Sequence, residues 1–275
     1  MAGDAAFKPT WGPGAATELA REAVEEGFED IVAAGGDGTL NEVLNGLATA
    51  SEGLRRARLG VLPLGTVNVF AKEIGMATTP LEAWRQIREG HERTIDLPFA
   101  EWTEDGQARI RHFAQLAGAG LDAEAIALVS WGAKRRLRQL AYVQAGIRAL
   151  LRRPMQIKVK CGGCEHPAEL VLVGNGRYYG GRLPVFPEAS LTDGQLDVCV
   201  FPKVRPWTVA MVGMRLVLGR FKPSRHALHL RTDALELTTT TGARFEVEGD
   251  LAGSLPVRMG LRPGALRVIV PPGLP

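Results

Sequence analysis

The run Gly35-Gly36-Asp37-Gly38-Thr39-Leu40-Asn41-Glu42 holds the residue types that a phosphate site needs, and one that it does not. Glycines let backbone approach a ligand closely and take positive φ. The apolar Ile31-Val32-Ala33-Ala34 precedes the run, and Val43, Leu44 and Leu47 follow at helical spacing. The pattern is strand, glycine turn, helix. Such a helix points its unpaired N–H groups and positive dipole end at the turn, which suits phosphate. Asp37 is the unexpected member. A carboxylate beside a polyphosphate is repelled unless a cation or a proton transfer involves it. The run therefore suggests a metal–nucleotide site rather than a bare anion site.

Other runs could share that chemistry. Gly65-Thr66-Val67-Asn68 follows a short strand, Leu59 to Leu62, and precedes a helix over residues 69–74. Two such turns side by side would build a crevice at the carboxyl ends of parallel strands. Gly118-Ala119-Gly120-Leu121-Asp122 sets a carboxylate after another glycine turn, where it reads as the N-cap of a helix from Ala123. Asn175-Gly176-Arg177-Tyr178-Tyr179-Gly180-Gly181 is a glycine-rich loop with two tyrosines, or a plain long hairpin. Strand alternation would put Glu246, Glu248 and Asp250 on one side of a strand, as solvated carboxylates or as part of a metal–phosphate site. Cys161-Gly162-Gly163-Cys164 lacks the second ligand pair of a zinc site and reads as a hairpin turn.

The elements that must hold these residues change character along the chain. Ala16, Leu19, Ala20, Ala23 and Val24 form a helical stripe stopped by Gly27. Residues 51–58 read as a polar loop, and Pro80 opens another helix that Gly90 closes. Alternating helices and strands over the first 90 or so residues imply a parallel sheet with covering helices. Beyond Thr94, short strand-like runs dominate: residues 109–116, 155–160, 169–173, 196–201, 227–231, 235–239 and 244–247, interrupted by a long helix over 123–152. That style implies an antiparallel sandwich. The 275 residues carry a net charge of only +3, so the molecule as a whole is no polyanion binder. No apolar run reaches the length of a membrane span; residues 208–218 are too few and include Arg215. Three cysteines and an N-terminus without a signal-peptide core point to the cytoplasm.

Taken together and in this order, the motifs resemble the diacylglycerol kinase catalytic family, which includes bacterial lipid kinases and the sphingosine and ceramide kinases. Pro63-Leu64 before the second turn, Phe70-Ala71, Ile95-Asp96, Pro187-Glu188-Ala189 and Asp193-Gly194 belong to the same set, which runs from about Thr10 to Pro271. The first turn alone is shared with NAD kinases; the later motifs are not. The resemblance implies an α/β nucleotide-binding domain, residues 1–94 and 262–275, and an antiparallel β-sandwich domain, residues 95–261. The C-terminal strand would return to the first domain. The implied reaction is transfer of the ATP γ-phosphoryl group to a hydroxyl of diacylglycerol or a related lipid, with Mg²⁺ as the metal. By the same resemblance Thr10, Gly35, Gly36, Asp37, Gly38, Thr39, Leu40, Asn41, Glu42, Gly65, Thr66 and Asn68 would bind ATP. Asp37 and Asp122 would join the acidic network that positions the Mg-nucleotide. Asp193, with carbonyls of Ser190 and Gln195, would hold a second, structural metal, and Glu248 or Asp250 would be the general base.

Three departures from the family pattern keep an alternative in view, a catalytically degenerate lipid- or nucleotide-binding homologue. The pattern begins with a strand and a glycine-containing phosphate loop, and this sequence starts after that point; upstream in-frame DNA is expected to encode them. Val69 stands where an Asp usually follows the Asn of the second turn. Glu248-Gly249-Asp250 exchanges the acidic types of the usual Asp-Gly-Glu. A shift of about 1 Å at a reacting group costs on the order of 10²-fold. The expected partner is a lipid substrate at the membrane surface, with peripheral contact on its inner face; nucleic acid is not expected, and a homodimer is left open. Lys134-Arg135-Arg136-Leu137-Arg138, with Trp131 and Tyr142, is either a stretch that attracts anionic headgroups or a solvated helix face.

Overall fold

The computed structural model describes residues 5–128, 155–224 and 226–273, and the chain divides into two units. One comprises Met1–Thr94 and Ala265–Pro275, the other Ile95–Gly264.

In the first unit, α1 (Ala15–Glu25) buries Ala16, Ala20, Ala23 and Val24, the stripe that its spacing implies. Strands β1 (Asp30–Gly35) and β2 (Arg58–Pro63) pair in parallel, from Asp30 opposite Arg58 to Gly35 opposite Pro63. Both therefore end at the same level, and the turns that leave them are neighbours. Helix α2 (Asp37–Thr49) returns along the sheet with Leu40, Val43, Leu44 and Leu47 buried. The stretch that reads as a polar loop contains a one-turn helix, α3 (Gly53–Arg56). Gly53 is what lets it form, since a Cβ there would stand 2.3 Å from the Leu47 carbonyl oxygen. Helices α4 (Val69–Glu73) and α5 (Pro80–Glu89) follow, the latter opened by its proline.

The second unit is a sandwich. Its elements in order are β3 (His91–Glu104), β4 (Gln107–His112), β5 (Leu116–Gly120), α6 (Leu121–Leu128), β6 (Ile157–Cys161), β7 (Cys164–Ala168), β8 (Leu170–Gly174), β9 (Tyr178–Tyr179), β10 (Leu183–Pro184), β11 (Leu196–Phe201), α7 (Pro206–Val217), β12 (Leu228–Thr232), β13 (Ala234–Thr239), β14 (Arg244–Val247) and β15 (Asp250–Ser254). The last strand, β16 (Val257–Val270), belongs to both units, and the first four residues of β3 lie in the first unit. One sheet runs β12-β11-β8-β5-β14-β15, antiparallel throughout. The other contains β16-β13-β6-β7 in antiparallel order. Val171, Val198 and Phe245 from the first sheet pack with Val159, Leu237 and Met259 from the second to form the core. In the first unit, β16 pairs in parallel with β2 through Val268 and Leu59, so the C-terminal strand does return to the α/β sheet.

Several local expectations need adjusting. The run 109–116 is not one strand: β4 stops at His112 and β5 starts at Leu116. Strand β3 went unread because its ends are charged and only its centre is buried. The paired cysteines sit opposite one another across a two-residue turn, with Gly162 and Gly163 at φ 56° and 78°, as a hairpin requires. The basic stretch at 134–138 and most of the long helix expected over 123–152 lie outside the described residues.

Candidate active site

The first unit holds a glycine cradle. Gly36 caps α2, whose first intrahelical bond runs from Leu40 N–H to Gly36 O at 3.0 Å. The N–H groups before it have no partner within the helix and face the turn. The second turn is laced onto the first: Leu64 and Gly65 N–H donate to Gly35 O at 2.9 and 3.2 Å. A Cβ on Gly65 would lie 2.4 Å from Gly36 Cα and 2.5 Å from Asn68 Oδ1, so only glycine permits this approach. Asn68 takes a left-handed conformation, φ 49°, and its Nδ2 donates to Gly65 O at 2.8 Å. Its Oδ1 is buried with no hydrogen-bond partner among the described residues.

Asp37 opens α2 and accepts the Val69 N–H at 2.7 Å, tying the starts of α2 and α4 together. Burial raises its carboxyl above the ordinary range, and the N–H groups of Val69 and Asn68 oppose that shift. Val69 itself is buried, so the carboxylate usual at its position is replaced by a core methyl pair. Glu42 has a structural task. Its two oxygens accept Gly14 N–H at 2.9 Å and Ala16 N–H at 3.1 Å, which caps α1. Leu40 and Asn41 are buried in the unit, whereas Gly38, Thr66 and Thr10 are exposed. The cradle fits a polyphosphate that carries a cation: free helix N–H groups for the phosphates, and Asp37 and Asn68 Oδ1 as acceptors on the same turns.

The second unit holds an acidic cluster. Asp122 is the second residue of α6, which starts one residue before it, so it is not the N-cap. Its Oδ2 accepts the Tyr179 hydroxyl proton. Glu246 lies on β14, fully buried, and its Oε2 accepts Gly249 N–H at 2.6 Å. The bare Cα of Gly118 lets the two carboxyl groups meet. A Cβ there would lie 2.6 Å from Asp122 Oδ2 and 2.9 Å from Glu246 Oε1. Glu246 Oε1 has no donor among the described residues. Burial first, then the charge of Asp122, raises the Glu246 carboxyl well above its ordinary value. Asp122 is raised too, by burial against the Tyr179 and Glu246 hydrogen bonds. A proton held between the two carboxyls would satisfy Oε1 and remove the repulsion.

Glu246, Glu248 and Asp250 do not share one side of a strand. Glu248 and Gly249 form the turn between β14 and β15, at φ 54° and 80°, and Asp250 starts the next strand. Glu248 Oε1 accepts Ala114 N–H at 2.8 Å and Gln115 N–H at 2.7 Å, which fixes its carboxylate. Asp250 Oδ2 stands 3.8 Å from Arg111 Nη2. Glu246 is the member that sequence reading undervalued. Its burial depends on Tyr179, Asp122 and Gly118, which are far away in the chain.

Asp193, Ser190 and Gln195 share one turn, in which the carboxylate already has protein partners. One Asp193 oxygen is paired with the Arg231 guanidinium, and the other accepts Gln195 N–H at 3.1 Å. Ser190 Oγ meets Thr192 Oγ1 at 3.3 Å, and Gly194 N–H donates to buried Asp96 at 2.7 Å. Arg231 Nε also stands 3.7 Å from Asp197, whose carboxyl burial pushes up to about 6 against the pull of Arg231. The guanidinium supplies the counter-charge that a metal would bring. The melting temperature is therefore expected to be the same in EDTA as in millimolar Mg²⁺ or Ca²⁺; a drop on chelation would show that a cation displaces Arg231.

Comparisons with known proteins converge on one group. The family model "Diacylglycerol kinase catalytic domain" matches residues 2–99. The model "YegS C-terminal NAD kinase beta sandwich-like domain" matches residues 115–270. A "Probable lipid kinase YegS-like" from Stenotrophomonas maltophilia is 33% identical over 273 residues, 97% of this chain and 86% of the relative. A diacylglycerol kinase of Bacillus subtilis is 31% identical over 247 residues, 88% of this chain and 78% of the relative. A crystal structure of a diacylglycerol kinase from Bacillus anthracis str. Sterne superposes with a TM-score of 0.74 at 26% identity, over 96% of this chain and 84% of that one. With the glycine cradle in one unit, the carboxyl cluster in the other and these matches along almost the whole length, the chain belongs to the diacylglycerol kinase catalytic family of lipid kinases.

Proposed function

We propose that the protein uses ATP, with Mg²⁺, to phosphorylate a hydroxyl of diacylglycerol or a related lipid. The observation that carries this reading is the approach of Gly65 to Gly36 beside the open N-terminus of α2, a backbone cradle with two acceptors, Asp37 and Asn68 Oδ1. Gly35, Gly36, Gly38, Thr39, Gly65 and Thr66 would hold the phosphates, while Leu40, Asn41 and Glu42 would act by fixing α2 beneath them. Mg²⁺ bound with the nucleotide would neutralise phosphate charge. The reaction would need a base to take the proton of the lipid hydroxyl as the hydroxyl oxygen attacks the γ-phosphorus and ADP departs; Glu248 is the candidate for that role, with Asp250 as the alternative. Glu246, beside Asp122, holds the Glu248 turn by accepting the Gly249 N–H.

One observation favours a second reading, a binding protein without turnover: Asp37 is committed to the Val69 N–H where the family pattern supplies a further carboxylate. The deciding experiment incubates the purified protein with γ-labelled ATP and a lipid extract containing diacylglycerol in detergent micelles. Label in a lipid product supports the kinase. ATP binding by calorimetry with no labelled lipid supports the second reading.

A further inference from the structure

No helix among the described residues is long and apolar enough to cross a membrane. Helix α7 nevertheless carries two apolar faces. On one, Thr208 is buried, and Val212 and Leu216 pack against the cluster of Phe186, Phe201 and Phe221. The other is open: Trp207, Met214 and Leu218, at the i, i+7, i+11 spacing of a single stripe, are 54%, 60% and 58% exposed. That stripe spans about 16 Å at 1.5 Å per residue. A globular helix normally turns polar groups outward, so an outward Trp, Met and Leu on one line mark a contact surface.

The charge around the stripe identifies what it contacts. Between Asp197 and Asp233 the sequence has seven Lys or Arg and no Asp or Glu, against a net charge of +3 for the whole chain. Arg205 is neutralised by Glu169 and Arg231 by Asp193. Lys203, Arg215, Arg220 and Lys222 are exposed and make no ion pair among the described residues. A helix with a Trp-bearing apolar stripe and a basic rim has the composition of an interfacial anchor. A second copy docked through the same face would set these cations against their own counterparts.

We propose that α7 with its flanking basic residues is the surface on which this protein sits on an anionic lipid bilayer. The inference rests on the lipid-kinase reading, since such an enzyme meets its substrate in a membrane. The apolar stripe would enter the boundary between headgroups and acyl chains, while the four cations face the anionic headgroups.

The test separates docking from catalysis. Flotation with vesicles of phosphatidylglycerol and phosphatidylcholine is compared for the wild type, Trp207→Ser/Met214→Ser/Leu218→Ser, and Lys203→Gln/Arg215→Gln/Arg220→Gln/Lys222→Gln. Each variant is expected to lose at least ~10-fold in vesicle partitioning, and wild-type binding should weaken in high salt. Unchanged melting temperatures and unchanged phosphorylation of micelle-dispersed lipid would show that fold and chemistry are intact. Wild-type partitioning that neither variant lowers overturns the proposal. So does sedimentation that shifts from dimer to monomer in the Ser variant while vesicle binding persists, because a second copy then covers the stripe. Vesicle binding that depends on α7, in a protein that phosphorylates no lipid, upholds the docking surface and removes the kinase reading instead.

Discussion

Glu248→Gln is expected to lower kcat for lipid phosphorylation by about 10²–10⁴-fold, the usual worth of a positioned general base. The change keeps the shape of the side chain, and its amide oxygen can still accept the Ala114 and Gln115 N–H groups that hold the carboxylate at 2.8 and 2.7 Å. What it loses is the capacity to take a proton. KM for ATP and the melting temperature should therefore hold steady while kcat collapses. Asp250 is the competitor for the role. Its carboxylate faces Arg111 across 3.8 Å at a half-exposed strand end, and exposed contacts of this kind are weak. Asp250→Asn should therefore cost less than ~10-fold. A preorganised carboxylate needs no reorganisation before proton transfer, which is why the larger loss is expected at Glu248. Steady-state kinetics of both variants on micelle-dispersed diacylglycerol decide between them, and a larger kcat loss in Asp250→Asn would move the base from Glu248 to Asp250.

The parts of this site that depend on neighbours in sequence were legible, and those that depend on distant partners were not. The apolar run into Gly35, the helical spacing after it and the second turn at Gly65 each carry their own periodicity. Gly162 and Gly163 likewise announce a hairpin, because only that turn asks for two residues with positive φ. The carboxylates at 246, 248 and 250 misled because alternation holds only while a strand continues, and Gly249 turns the chain back. Glu246 reads locally as a solvated acid or as part of a metal–phosphate site. Its burial comes from the Gly118 strand, the α6 start and the Tyr179 loop, none of which a local pattern connects to it. Arg231 joins Asp193 from 38 residues away, an ion pair that no local pattern announces. Glu42, inside the glycine run, caps a helix 26 to 28 residues upstream.

A proton shared between Asp122 and Glu246 would have a consequence for stability that separates two substitutions at one position. In the folded protein the Glu246 carboxyl is raised well above 4.5, by burial and then by the Asp122 charge. A group whose folded pKa is raised contributes stability that is fully present below its unfolded pKa and lost as pH rises through the folded one. The wild-type melting temperature should thus fall as pH climbs above about 4.5 and through the raised folded pKa. Glu246→Gln keeps an oxygen for the Gly249 N–H and offers its NH₂ to Asp122 without titrating, so that slope should flatten. Glu246→Ala does something else: it leaves the Gly249 N–H without its acceptor and a cavity beside a buried Asp122, at a cost of order 3 kcal/mol. The groups facing Glu246 that could add a slope of their own are Asp122 on α6, Tyr179 on β9 and Glu248 in the turn, with Arg244 engaged by Glu124 at 2.9 Å. Thermal melts of the three proteins from acid to alkaline pH read the difference directly. If Glu246→Gln kept the full wild-type slope, the proton would sit elsewhere. If it flattened the slope while Glu246→Ala lost kcat as well as stability, the buried pair would be what holds the Glu248 turn in its working position.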